Sequence, residues 1–133
     1  MRAHYLTGDD RFLRGALRAC LFPGGANPNN LVYTSGVGVN YVKAMNMDAI
    51  ATGQLPPVGL TPYGNVDLQH WHDNWIVWPI NYFLGKHCQP AAFDWPTSEA
   101  YFDARFWPAL CEFCVDQTMG PNAYVWGYLA ARK

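Results

Sequence analysis

Glu112 is the residue on which chemistry in this sequence would turn. It stands in Leu110-Cys111-Glu112-Phe113-Cys114, with apolar side chains before and after it. Ionising a carboxyl among such neighbours is costly, so burial there would raise its pKa and let it hold a proton near neutral pH. A proton so held can be passed to a leaving group, which is the task of a general acid. The same residue types also fit a glutamate on the wet side of an amphipathic helix, the commoner place for one. Asp103 and Arg105 lie just upstream, and an arginine close to Glu112 would lower its pKa and oppose the acid's role.

Other groupings carry less. Cys111-x-x-Cys114 could be a redox or zinc pair, but a redox pair needs an electropositive helix N-terminus and zinc needs further ligands. Two small buried thiols on a core helix are the expectation. His70 and His72 are two apart and would face different sides of a helix, which argues against a joint metal site. Glycine spacing suited to phosphate is absent, and no Ser, His and Asp set stands out.

The stretch 98–131 that carries Glu112 resembles a signature of glycoside hydrolase family 9, the inverting cellulases and their relatives on an (α/α)6 barrel. Tyr101-x-Asp103 is followed nine positions later by Glu112, as the family's aspartate is by its catalytic glutamate. Glu112-Phe113-Cys114-Val115-Asp116 resembles the family's Glu-Val-Ala-Leu-Asp. Pro108 stands where an aromatic is usual, with Trp107 one place early, and Thr118 stands where Asn is usual. A second segment, Asn27-Pro28, Tyr33 and Thr34-Ser35-Gly36-Val37-Gly38-Val39-Asn40, resembles the family loop Asn-Pro, Tyr, Thr-Gly-x-Gly-x-Asn. The family's substrate-contacting His-x-Arg falls on Asn46 and Asp48. Asn46 could still bond a hydroxyl, whereas Asp48 reverses the sign.

The resemblance implies an enzyme that hydrolyses β-1,4-glucan or a related β-glycoside with inversion. Glu112 would be the general acid, and Asp103 would orient its segment, with Arg105 as partner. Tyr33, Asn40, Asn46, Asp48 and Arg105 would meet the sugar. Inversion also needs a base on the opposite face, which in the family is an Asp of a paired-Asp motif near the start of the catalytic domain. No such motif occurs here, since Asp9-Asp10 suits a helix start. No cofactor is implied. The expected partners are an oligo- or polysaccharide and the missing N-terminal part of the same domain, in an extracellular or periplasmic setting. A non-catalytic helical carbohydrate-binding or scaffold module is the alternative.

Composition agrees with a slice of a larger body. Of 133 residues, 50% are hydrophobic and only 14% charged, well under the usual quarter. So little charge on so small a surface implies apolar faces covered by something else. The expectation is therefore the C-terminal part, residues 1–133, of an all-α catalytic domain, an incomplete (α/α)6 barrel with long irregular loops. A formal net charge of −1 leaves no footprint for nucleic acid. No run of 18 apolar residues is available to span a membrane, because Asp73, Asn74 and Asn81 interrupt the best one. The first residues lack the apolar core of a signal peptide.

The positioning elements follow from periodicity. Residues 1–7 read as a helix ending at Thr7-Gly8. Asp9 or Asp10 then caps a second helix whose apolar stripe is Leu13, Ala16, Leu17, Cys20 and Leu21, stopped at Pro23-Gly24-Gly25. Residues 26–64 show no helical pattern and read as an irregular binding surface. Residues 66–86 read as one helix or two around Pro79, and their aromatics read mainly as core packing. Residues 89–96 are a connecting loop. A helix over 107–118 would hold Glu112 one turn in, and Pro121 would start a last helix, apolar on nearly every side and hence buried.

Overall fold

The computed structural model describes residues 1–45, 52–70, 87–105 and 107–132. Helices dominate its regular structure, and among the described residues the only β pairing is two isolated bridges, Gly24 with Val32 and Val32 with Tyr41. This agrees with the all-α expectation.

Helix α1 (Arg2–Thr7) ends at Gly8, whose φ of 70° is the left-handed conformation that glycine adopts without steric cost. Asp9 then caps α2 (Asp10–Cys20), its Oδ1 accepting the Arg11 backbone N–H at 2.8 Å. The Arg11 guanidinium also pairs with Asp9 and holds its carboxyl below the usual range. The stripe on α2 is only partly covered: Leu13, Ala16 and Cys20 are half-buried, while Leu17 and Leu21 are exposed.

The core lies beyond these helices and is built mostly from irregular chain. Tyr33, Val42, Met45, Leu60, Leu68, Tyr101, Trp107 and Leu110 form one buried cluster. Backbone polar groups buried this way need partners, and the two loop segments supply them to each other. The Ser35 N–H donates to the Leu60 carbonyl and the Ser35 carbonyl accepts from Gly59, while its hydroxyl accepts the Leu60 N–H and donates to the Pro57 carbonyl. Thr34, nearly inaccessible, meets Thr61 at 2.9 Å.

The C-terminal part departs most from expectation. No continuous helix spans 107–118. Helix α3 (Pro108–Cys111) stops after four residues, with Glu112 and Cys114 extended. The cause is tertiary: the carbonyls of Leu110 and Glu112 accept the N–H groups of Gly64 and Tyr63, at 3.1 and 2.8 Å. A wide five-residue turn (Val115–Met119) follows, with i→i−5 bonds, and runs straight into α4 (Gly120–Ala130). The start of α4 beside Pro121 is as expected, but its burial is not, for no residue of α4 is buried. It is tethered instead at points. Trp126 Nε1 donates to Thr34 Oγ1 at 3.0 Å, and the Tyr128 hydroxyl meets Nδ1 of buried His4 at 2.6 Å. The aromatics of 71–86 fall outside the described residues.

Candidate functional site

Asp103 is exposed and its carboxylate works on the loop rather than on Glu112. Oδ2 accepts the Lys43 backbone N–H at 2.8 Å and Oδ1 that of Ala44 at 3.0 Å, with the Tyr101 hydroxyl donating to Oδ1 at 3.3 Å. One carboxylate thus joins the two segments that carry the motifs. Tyr101 adds an edge-to-face contact with Tyr33, centroids 4.9 Å apart, and the Asn29 amide reaches the Tyr101 carbonyl. Arg105 follows, half-buried.

Glu112 does not occupy the apolar enclosure that its neighbours suggested. Its side chain is exposed, because Leu110 and Cys111 turn into the core and the chain then becomes extended. Backbone pairing with Tyr63 sets it beside the 61–65 loop. Partial desolvation raises the pKa of the Tyr63 phenol, and the nearby acids Cys114, Glu112 and Asp116 push in the same direction.

Tyr63 also forms a wall of a groove of about 360 Å³, shared with Phe22, Tyr33, Asn65, Gln117 and Asn122. Among the described residues its lining offers aromatic faces, amides and hydroxyls, and no ionised side chain. Tyr33 is buried, and this pushes its phenol up to about 12, so it stays a neutral donor, pointed at Asn65 Oδ1. The Asn65 Nδ2 is shielded from solvent and has no hydrogen-bond partner. Leaving such a donor unpaired costs about 1–3 kcal/mol. The wide turn supplies Gln117 and Thr118, and the Asn122 amide donates to the Thr118 carbonyl at 2.6 Å. A larger hollow, about 810 Å³ and lined by Arg2, Asp116 and Tyr124 among others, lies against the start of α4. Of the motif residues it holds Asp116 alone, so its size does not make it the chemical centre.

The motif residues therefore separate. Tyr33 lines the groove. Asn40 is exposed but its side-chain amide donates to the Asn30 carbonyl, so it locks its own loop. Asn46 and Asp48 lie outside the described residues. The structure adds Tyr63, Asn65, Gln117 and Asn122. In sequence Tyr63 falls within the irregular stretch 26–64 and Asn65 just past it, and no local pattern singles out either.

The thiols of the C-x-x-C pair face different partners. Cys111 is buried, donates to the Phe102 carbonyl at 3.4 Å, and is pushed up to about 11 by desolvation, so it remains a thiol. Cys114 donates to Asp116. Both are free, and among the described residues no group of three or more His, Cys, Asp or Glu could hold a metal. No described helix is long and apolar enough to cross a membrane. Compared with protein-family models, with curated proteins and with solved structures, the chain matches none.

Proposed function

We propose that this chain is the C-terminal part of an inverting β-glycoside hydrolase of family 9 type, built on an (α/α)6 barrel, with Glu112 as general acid. The observation that carries the reading is the junction of the two motif-bearing segments: Asp103 binds the 43–44 backbone while Tyr101 packs on Tyr33. A neutral, aromatic-walled groove beside the Glu112 backbone suits a sugar ring. In this reading Asp103 is a positioning residue, and the base belongs to another part of the domain. As a separate molecule the chain has no turnover. Joined to its upstream coding sequence, Glu112→Gln loses about 10²- to 10⁴-fold in rate. The loss shrinks for aryl glycosides whose leaving group needs no proton. Turnover by the isolated chain that survives Glu112→Gln refutes the reading.

The exposure of Glu112 specifically favours a second reading, a non-catalytic carbohydrate-binding or scaffold module. A paired-Asp motif upstream supports the enzyme, and its absence supports the module.

A further inference from the structure

We infer that the groove between Phe22, Tyr63 and the junction of the wide turn with α4, at Gln117 and Asn122, is a subsite for a single uncharged sugar ring, with Asn65 as the residue that reads a hydroxyl. The choice of a sugar among neutral ligands rests on the carbohydrate reading above, but not on catalysis by Glu112.

Size comes first. At about 360 Å³ the groove is at the small end of the range for ligand sites, about 300–1,000 Å³. It holds a ring or two, not a length of polymer. Charge comes second. Among its lining residues are Phe22, Tyr33, Tyr63, Asn65, Gln117 and Asn122, and among the described residues no lysine, arginine, histidine, aspartate or glutamate lines it. A carboxylate or phosphate on the ligand would lose water there and gain no countercharge, so the groove discriminates against uronic and phosphorylated sugars.

Hydrogen-bond supply comes third. The Asn65 amide has its oxygen engaged by the Tyr33 hydroxyl and its nitrogen unpartnered. With its oxygen engaged by the Tyr33 hydroxyl, the amide's free capacity is that of a donor. A hydroxyl oxygen accepts from a donor and can pass its own proton to the Gln117 or Asn122 carbonyl oxygen. A purely apolar ligand would leave the Asn65 nitrogen unsatisfied. Tyr63, 42% exposed, offers its ring as the stacking face at the mouth.

The test is titration of the chain with methyl β-D-glucopyranoside, cellobiose and glucuronate, followed by chemical-shift perturbation. Both glucosides should bind, with shifts at Tyr33, Tyr63, Asn65 and Gln117, and glucuronate should bind at least tenfold more weakly. Asn65→Ala should weaken glucoside binding about threefold to tenfold, the worth of a neutral hydrogen bond. Tyr63→Ala, which keeps the backbone bond to Glu112, should weaken it as well and guards against an Asn65 variant that misfolds. Equal binding by both variants and wild type overturns the inference, as does glucuronate binding as tightly as glucoside, or no binding of either glucoside. Binding that depends on Asn65, with turnover of the joined domain unaffected by Glu112→Gln, sinks Glu112 as the general acid and leaves this inference standing.

Discussion

Asp103→Ala should cost about 2 kcal/mol of stability, and nearly all of it should be felt at residues 43 and 44. The carboxylate accepts two backbone N–H groups at 2.8 and 3.0 Å. Hydrogen bonds to a charged group are worth about 1.5–3 kcal/mol each when shielded. Asp103 is exposed, so about 1 kcal/mol apiece is the discounted figure. Unfolding entropy of about 2.1 cal/mol/K per residue, over 133 residues, turns 2 kcal/mol into a fall in Tm of about 7 °C. Asp103→Asn keeps one acceptor and turns an amide N–H₂ toward the second donor, so it should lose at least half as much. Thermal melts supply the total, and hydrogen exchange supplies the location. The Lys43 and Ala44 amides should exchange faster, while those of Ser35 and Leu60, held by separate partners, should not change. An Asp103→Ala protein melting within about 1 °C of wild type would refute the clamp. Uniformly faster exchange would mean that the side chain supports the core at large.

Three further outcomes follow from the geometry. Gly36 has φ +73°, and a Cβ there would lie 2.7 Å from a Val58 methyl. Gly36→Ala should therefore destabilise by about 1–2 kcal/mol from backbone conformation alone, plus a clash that Val58→Ala relieves in part, since the Cβ of residue 58 stays 3.1 Å away. Melting temperatures of the two single variants and the double variant check both parts. Tyr33 has its folded pKa raised from the ordinary 10 to about 12 by burial. A raised phenol contributes stability that is fully present below pH 10 and is lost as pH climbs from 10 through 12. Urea midpoints between pH 9 and pH 12 should fall, and Tyr33→Phe should flatten the fall by one proton. Burial likewise raises Tyr101, so a residual slope should persist in the Tyr33→Phe protein.

Much of the N-terminal structure was legible from local signals. The cap at Asp9, the left-handed Gly8 and the stop at Pro23-Gly24-Gly25 are decided by residues within a turn of where they act. The irregular course of 26–45 and 52–64 was legible too, as a lack of period. The helix expected over 107–118 fails although its own residues permit it. What breaks it is the demand of Tyr63 and Gly64, almost fifty positions away, for the carbonyls of Glu112 and Leu110, and no local pattern records a distant donor. The exposure of Glu112 follows from the same break. A period of 3.6 would have carried Leu110, Cys111 and Phe113 around it, whereas an extended chain turns successive side chains to opposite faces. The apolar all-round composition of α4 reads as burial only if partners exist on every side. In this structure Thr34 and His4 engage it at Trp126 and Tyr128.

Those two tethers have a consequence for how the molecule comes apart. They bridge 92 and 124 positions of sequence, so a loop near the start of the chain depends on its last helix for closure. Contacts of such long range are late to form and early to matter. Removing the final dozen residues would strip a donor from buried Thr34 and leave His4 without its phenol, loosening both ends at once.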